Sequence, residues 1–257
     1  MTTAVRAVPV GPGRDAQTDV VATLRRRLAA IPGRGVETQE PAPTAATGVL
    51  PVPAPLAELL PRGGLVRGTV VSAAGASSLL LGLLAAVTSE GGWAAVVGRP
   101  GLGLLAAVEM GADLARVALV PAPGGDALDV AAVLLDGVDL VVLDLAGTSV
   151  APSRARGLVA RARHRGSVLV VTGGTWPGAQ LQLRAEVTTG TADTGLGRGY
   201  GRLRSRELEV QVGGRGSVAA GRCSRVRLCP DGAGVRWRTT AGEGVGAAGM
   251  REQAVVG

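Results

Sequence analysis

The residues with the clearest chemical meaning lie at the ends of two apolar runs, GTVV and DLVVLDL. The first run continues into SAAGASSLLLGLL, which predicts a strand, a small-residue turn at Gly75 and a helix over Ser77–Ser89. Such a turn is where phosphate-binding loops occur, because the helix N-terminus presents backbone N–H groups to an anion. A functional loop reads GxxxxGK followed by Ser or Thr, and this chain contains no lysine. The pattern predicts either a tight structural turn or a weakened anion site, with Ser77 or Ser78 as the capping hydroxyl.

The second run ends in Asp144. An apolar strand ending in aspartate is typical of a Walker B strand, whose carboxylate holds magnesium, and equally of an aspartate that caps the following loop. Asp136 and Asp139 lie where the chain enters this strand, so we expect both to be solvated. A single histidine, His164, and two separated cysteines, Cys223 and Cys229, predict no metal site.

All 27 basic residues are arginine, and residues 151–240 carry 16 of them against 5 acids. This clustering predicts contact with DNA or with an acidic partner. The alternative is a solvated face whose arginine content reflects a GC-rich genome, since lysine and asparagine are both missing. The candidates are Arg154, Arg161 and Arg165 in a predicted helix, and Arg198, Arg202, Arg204 and Arg206 in and after the glycine-rich stretch GLGRGYGRLRSR.

The elements that must position these residues alternate between strand and helix. The predicted strands up to residue 172 are continuous apolar runs, which is typical of a parallel sheet covered by helices on both faces. After Val171 apolar and polar residues alternate between glycine-rich turns, which predicts an antiparallel meander. The predicted strands are 68–73, 93–98, 117–120, 138–145, 168–172, 181–189, 208–212, 224–228 and 234–238, and the predicted helices are 77–89, 102–110, 126–135 and 153–164.

Composition divides the chain into four predicted segments. Residues 1–34 form a helical arm, 35–54 a flexible linker rich in proline and alanine, 55–240 an α/β domain, and 241–257 a disordered tail. The N-terminus has no apolar signal-peptide region, and the uncharged stretch 69–89 is interrupted by Gly75. We therefore expect a cytoplasmic protein without a membrane span.

The ordered set of motifs from Leu56 to Arg238 resembles the RecA-like family, and within it the ImuA-type mutasome proteins of the actinobacterial ImuA-prime branch. The segments that carry the resemblance are LAELLPRGGLVRGTVV, GWAAVVGRPGLGLLAAVEMGADLARVALVP, the run through DGVDLVVLDL, and the turn GLGRGYGRL. The resemblance implies a RecA-like core in which strand 168–172 lies between strands 138–145 and 68–73. It places Gly75, Ser77 and Ser78 in the former phosphate loop and Asp144 at the former magnesium position.

Three departures from the RecA-like pattern bear on catalysis. The phosphate-binding lysine is missing, the glutamate base expected after the second strand is replaced by GRPGLG, and the polar sensor position reads Thr172-Gly173. Each loss is expected to cost orders of magnitude in rate. The resemblance therefore implies a degenerate ATPase core that is not an enzyme, with no bound cofactor and at most weak binding of ATP.

By this resemblance the chain acts in DNA-damage-induced, error-prone translesion synthesis. Its implied partners are an ImuB-type, Y-family-like protein and an error-prone DnaE-type polymerase, with DNA and a second copy of the chain as further candidates. Two other interpretations stay open: a divergent RecA-like, DNA-dependent ATPase, and a cell-division inhibitor of the SulA kind. The missing lysine disfavours the first, and the predicted meander disfavours the second because SulA-type chains are shorter.

Overall fold

The computed structural model describes residues 48–192, 203–214, 221–232 and 234–240, with the backbone alone at 189–192 and 203–204. The predicted arm at 1–34, most of the linker at 35–54 and the tail at 241–257 lie outside these residues. The described helices are α1 (Ala54–Leu59), α2 (Ser77–Ser89), α3 (Leu104–Glu109), α4 (Ala127–Leu134) and α5 (Pro152–Arg165). The strands are β1 (Val49–Leu50), β2 (Leu65–Val66), β3 (Val70–Gly75), β4 (Ala94–Val97), β5 (Val117–Val120), β6 (Leu140–Asp144), β7 (Val168–Thr172), β8 (Leu181–Ala192), β9 (Leu203–Gly214), β10 (Arg222–Asp231) and β11 (Gly234–Thr239).

Nine of these strands form one sheet in the order β11-β10-β9-β8-β3-β7-β6-β4-β5, and β1 pairs with β2 in a separate ribbon. The pairs from β8 through β3 to β5 are parallel, and those among β8, β9, β10 and β11 are antiparallel. The predicted α/β class, a mostly parallel sheet flanked by helices and extended by an antiparallel meander, is therefore confirmed. Strand β7 lies between β6 and β3, as the resemblance implies.

Helices cover both faces of the parallel part of the sheet. On one face Val71 of β3 and Val142 of β6 belong to a buried cluster that includes residues of α1, α2 and α3. The alternate residues Val141 and Leu143 point to the other face and are also fully buried. There α4 packs against β4 and β6, and α5 packs against α4. Burial on both faces explains why these strands are continuously apolar.

The meander strands are longer than predicted. Alternation alone indicates 208–212 for β9, whereas backbone pairing with β8 extends the strand over 203–214. Leu183, Leu208 and Val226 face the cluster beneath α1 and α2, while Glu207 and its cross-strand partner Arg227 form an ion pair. Backbone hydrogen bonds between strands require no particular side chain. The strands therefore continue through glycine and threonine at their ends, where a pattern of apolar residues does not predict them.

The uncharged stretch 69–89 splits into β3 and α2, with Gly75 at the end of the strand. No helix among the described residues is long and apolar enough to cross a membrane. Helix α2 is apolar on nearly every side, so it is a buried helix of the core rather than an amphipathic surface helix. It runs from Ser77 to Ser89, the bounds that the sequence predicts.

Candidate functional site

The carboxyl ends of β3, β4, β6 and β7 meet at one edge of the sheet, and an arginine side chain joins three of them. Arg99 follows β4 by two residues. Its Nη1 donates to Asp144 Oδ2 at 3.3 Å and to Thr172 Oγ1 at 3.4 Å, and its Nη2 donates to Ser77 Oγ at 3.0 Å. We call Arg99, Asp144, Thr172 and Ser77 the arginine cluster. Ligands of parallel α/β sheets bind at this edge, and here a protein side chain occupies it.

Both carboxylate oxygens of Asp144 have partners. Oδ2 forms the ion pair with Arg99, and Oδ1 accepts a hydrogen bond from the backbone N–H of Ala146 at 2.8 Å. Only 17% of the Asp144 side chain and 23% of the Arg99 side chain are exposed. A Cβ at Gly173, directly after β7, would lie 2.1 Å from Oδ1, so the backbone at Gly173 lies close against the carboxylate. Asp144 thus caps the following loop and forms an ion pair in addition.

The connection between β3 and α2 is a single residue, Ala76. The Ala76 N–H donates to the Ala185 carbonyl at 2.7 Å, which extends the pairing of β3 with β8 into the turn. Gly75 adopts φ +90°, and a Cβ there would lie 2.0 Å from the same carbonyl oxygen. A phosphate-binding loop needs several residues between strand and helix to surround an anion. Here only Ala76 lies between strand and helix, so the connection is a tight structural turn rather than an anion-binding loop.

The two serines do not act as the predicted caps. Ala76 is the N-cap residue of α2, and no side chain caps the helix, because the strand continues through Gly75. Ser77 is exposed and its Oγ accepts a hydrogen bond from Arg99 Nη2, whereas Ser78 is buried. The structure therefore brings Ser77 and Asp144 together through Arg99 and turns Ser78 away from them.

These residues do not fit a magnesium–nucleotide complex. A metal ion at Asp144 would have to displace the guanidinium of Arg99, and the turn at Gly75 offers no cradle for phosphates. The described part of the chain also holds no group of three or more His, Cys, Asp or Glu side chains able to bind a metal. Chemically, the arginine cluster is a closed ion pair with two hydroxyl partners.

The predicted basic helix is α5, and three of its arginines face acids of α4 and the turn after it. Arg154 Nη2 lies 2.9 Å from Asp129, and Arg165 Nε lies 3.1 Å from Asp136, which also pairs with Arg161. All three arginines are exposed. Because each of them is paired with Asp129 or Asp136, their charges are partly neutralised within the protein.

The pairing with Arg161 and Arg165 shifts the pKa of Asp136. Partial burial alone raises the pKa of its carboxyl group, but the hydrogen bonds and charges of Arg161 and Arg165 outweigh burial and hold the pKa below its ordinary value. The hydrogen bond to Asp136 raises the pKa of Arg161 in turn. Asp136 is exposed, as predicted, but it is bound in a pair rather than free in water.

The remaining predicted arginines are less fully described. Arg206 is exposed on β9. Arg204 lies in β9 with only its backbone described, and Arg198 and Arg202 lie outside the described residues.

A comparison with known proteins identifies the family. A family model described as the MT3502 N-terminal domain matches residues 58–178. The "Uncharacterized protein Rv3395c" of Mycobacterium tuberculosis is 50% identical over 169 residues, which cover 62% of this chain and 80% of that protein. The chain belongs to the Rv3395c family. The region matched by the model runs from α1 to the loop after β7 and contains the whole arginine cluster.

Arg99 is the residue of this Rv3395c-family site that the sequence analysis missed. The segment GRPGLG is noted there for the carboxylate that it lacks, not for the arginine that it carries. A signal was present: the side chain follows a buried parallel strand, at the same edge as Asp144. Side chains that leave the carboxyl ends of neighbouring parallel strands converge, so a lone arginine there is a candidate partner for a lone carboxylate.

The expectation that Asp139 is solvated is wrong. Its side chain is buried, forms an ion pair with Arg67 Nη1 at 2.9 Å and accepts a hydrogen bond from the Trp93 N–H at 2.9 Å. Arg67 also donates to the Gly166 carbonyl at 3.2 Å. The carboxylate thereby ties the starts of β4 and β6 to the end of β2, a structural role that its position before an apolar run does not reveal.

The two cysteines are free and half-buried on β10. Burial, together with the neighbouring Glu209, raises the pKa of the Cys223 thiol. A raised pKa lowers the thiolate population, so Cys223 is a poor nucleophile.

Proposed function

We propose that this chain is a non-catalytic, RecA-like accessory protein of the ImuA-prime type. In this role it joins a Y-family-like protein to a DnaE-type polymerase during error-prone translesion synthesis. The observation that carries the proposal is the arginine cluster, in which Arg99 holds Asp144 where an ATPase of this architecture needs a free carboxylate. The proposal also rests on the resemblance described above.

Strand order supports the RecA-like part of the proposal. The parallel strands run β3-β7-β6-β4, so the strand ending in Asp144 is separated from the strand ending in Gly75 by one strand, β7. The antiparallel extension follows β8 on the far side of β3. The first feature matches what the resemblance implies for a RecA-like core, and the second matches the meander that the alternation of residues predicts.

The local geometry supports the non-catalytic part. Binding magnesium at Asp144 would break a partly buried ion pair, and phosphates would find neither a lysine nor a loop. Each of these features alone weakens nucleotide binding, and their effects combine because all three concern magnesium–ATP. A protein of this kind contributes surfaces that hold partners together, rather than a reaction.

The test is a tagged pull-down of the full chain from cells treated with a DNA-damaging agent, analysed by mass spectrometry against untreated cells and against the tag alone. The proposal predicts recovery of a Y-family-like protein and a DnaE-type polymerase in the damaged cells. Recovery of the cell-division protein FtsZ without replication proteins would instead favour the SulA-like alternative. Recovery of neither set would contradict the proposal.

The ATPase alternative has a separate test on purified protein. ATP turnover is measured with and without single-stranded DNA for the unmodified chain and for Asp144→Asn. The proposal predicts no turnover above that of buffer in either protein. Turnover that depends on DNA and disappears in Asp144→Asn would establish the enzyme instead.

A further inference from the structure

Helix α5 has a third face besides the one on the sheet and the one paired with acids. Ala155, Leu158 and Ala162 are buried beneath the helix, and Arg154 and Arg161 point towards α4. The third face recurs at helical spacing along the whole length of α5. Its residues are Pro152, Arg156, Val159, Ala160 and Arg163.

This third face forms one wall of an open groove of about 850 Å³, which we call the α5 groove. Pro177, Gly178 and Gln180, in the loop between β7 and β8, form the other wall. The groove follows α5 over twelve residues, or about 18 Å at the rise of an α-helix. The part of the α5 wall between Arg156 and Arg163, which we call the groove floor, is apolar and has Val159 at its centre.

The charge of the α5 groove is positive and uncompensated. Arg156 and Arg163 are exposed and form no ion pair with any residue that the structure describes. Exposed His164 adds a second kind of donor at one end. The arginines of the neighbouring face, by contrast, are held by Asp129 and Asp136. One face of α5 thus carries arginines paired with acids, and the groove face carries arginines that can bind a ligand.

The groove is preformed. Gln180 is fixed to the start of β3 twice, by its N–H to the Val70 carbonyl at 3.1 Å and by its Oε1, which accepts the Val70 N–H at 2.9 Å. On the opposite wall, a Cβ at Gly68 would lie 3.0 Å from the Cα of Arg163, so the helix sits close against the sheet. A site whose walls are already fixed loses little conformational entropy when a ligand binds.

We propose that the α5 groove binds an extended acidic segment of a partner protein, with two carboxylates three residues apart. Arg156 and Arg163 are two helical turns apart, which is about 10.5 Å along the axis. Residues three apart in an extended polyproline II segment lie on the same side of the chain and are separated by about 9 Å, so two such carboxylates reach both guanidinium groups. An aliphatic side chain between them packs on Val159.

Nucleic acid fits this groove less well than a peptide does. Proteins that hold single strands combine positive charge with aromatic side chains on which bases stack. The described lining contains no Phe, Tyr or Trp, and its apolar part is made of small aliphatic groups and proline. Such a lining suits the aliphatic side chains of a peptide.

The test begins with a phage library of random dodecamers, selected against the full chain. We expect enriched peptides to carry Asp or Glu at positions i and i+3 with an aliphatic residue between them. The affinity of the best peptide is then measured by fluorescence anisotropy on the full-length variant R156Q/R163Q. Loss of two charge-assisted contacts should weaken binding by about tenfold or more.

Two further variants separate this effect from net charge and from folding. R225Q/R238Q removes the same charge from exposed positions on β10 and β11, and it should bind the peptide within about twofold of the unmodified chain. Val159→Glu places a negative charge on the groove floor and should abolish binding. Far-UV circular dichroism confirms that each variant keeps the fold.

Four outcomes would overturn the proposal. Enriched peptides could lack the acidic pair, or they could bind R156Q/R163Q as tightly as the unmodified chain. A dT20 oligonucleotide that binds through these arginines, with no acidic peptide selected, would make the groove a nucleic-acid site. A synthetic peptide of residues 35–42, which carries Glu37 and Glu40 at the same spacing, could outcompete every selected peptide. The occupant would then be the chain's own segment.

Discussion

At the scale of single residues, Arg99 pairs with the carboxylate that ends β6. Asp144 stands at the position of a metal ligand by resemblance, but its two oxygens are engaged by Arg99 and by the Ala146 N–H. Asp144 itself could be singled out from the sequence, because it ends an apolar strand. Its partner Arg99 is harder to single out, because an arginine beside a glycine and a proline carries no periodic signal and only its place after a parallel strand marks it as a candidate.

Arg99→Met should destabilise the protein. It leaves a partly buried carboxylate without its counter-ion, which costs about 1–3 kcal/mol of unfolding free energy. Urea denaturation measures the loss, with Arg62→Met as the control, since Arg62 is exposed and forms no ion pair with a described residue. The control should stay within about 0.5 kcal/mol of the unmodified chain. Equal stability of both variants would show that the cluster is not a stabilising ion pair.

Arg99→Met should also leave nucleotide affinity unchanged. Freeing Asp144 does not lengthen the one-residue connection at Ala76, so phosphates still find no loop. Isothermal titration calorimetry with magnesium–ATP on Arg99→Met and on the double variant R99M/D144N checks this. Binding that Arg99→Met gains and R99M/D144N loses would mean that the arginine alone closes a working site.

The pairing of Asp136 predicts a pH dependence. Because the folded-state pKa of this carboxyl lies below its ordinary value of 3.8, its contribution to stability is fully present above pH 3.8 and is lost as the pH falls through the folded pKa. Asp136→Asn should therefore lower stability at pH 6, by at most about 1 kcal/mol for so exposed a group. The difference should vanish in strong acid. Urea titrations at a series of pH values measure it, and a constant difference would contradict the assignment.

At the scale of elements, the sequence predicts the parallel core well and the meander less well. Helix α2 and β7 have their predicted bounds, because a buried element must be apolar from end to end. The edge strand β5 is only partly buried and has its predicted bounds as well. The meander strands β8 and β9 are longer than the alternating residues indicate, because backbone pairing extends them. Helices α3 and α4 are shorter than predicted, since their ends lie in glycine- and proline-rich turns whose apolar residues imitate another helical turn.

Two helical glycines should respond oppositely to alanine. A Cβ at Gly82 of α2 would lie 2.6 Å from Cζ2 of Trp237, so Gly82→Ala forces the ring away and should cost about 1–3 kcal/mol. Gly157 of α5 faces open space, and Gly157→Ala should stabilise the protein by up to about 1 kcal/mol through helix propensity. Thermal unfolding of both variants measures the effects. The same sign in both would contradict the packing of β11 against α2.

At the scale of the whole molecule, charge is divided along the chain. Residues 50–150 carry 4 arginines against 9 acids, whereas residues 151–240 carry 16 against 5. Within the described residues, part of this difference is internal, because acids of the first region pair with arginines of α5. The sequence alone could not separate paired from available arginines, since pairing depends on how α4 and α5 lie side by side.

Arg204 and Arg206 of β9, with Arg202 before them in the sequence, offer a test of DNA contact. If they bind the DNA backbone, the triple variant R202A/R204A/R206A should lose affinity for single-stranded DNA at low salt, and its affinity should depend less steeply on salt concentration. Filter binding over a salt series measures both quantities. Unchanged affinity and slope would assign these arginines to a solvated face.

The measurement that tests the central claim most directly is assembly of the full chain with the purified Y-family-like protein and the DnaE-type polymerase. Size-exclusion chromatography with light scattering follows the complex in EDTA without nucleotide, and again with magnesium–ATP. The account predicts a three-component complex of the same stoichiometry in both conditions, lost when this chain is omitted. A complex that forms only with magnesium–ATP, or that forms equally well without this chain, would contradict a nucleotide-independent scaffold.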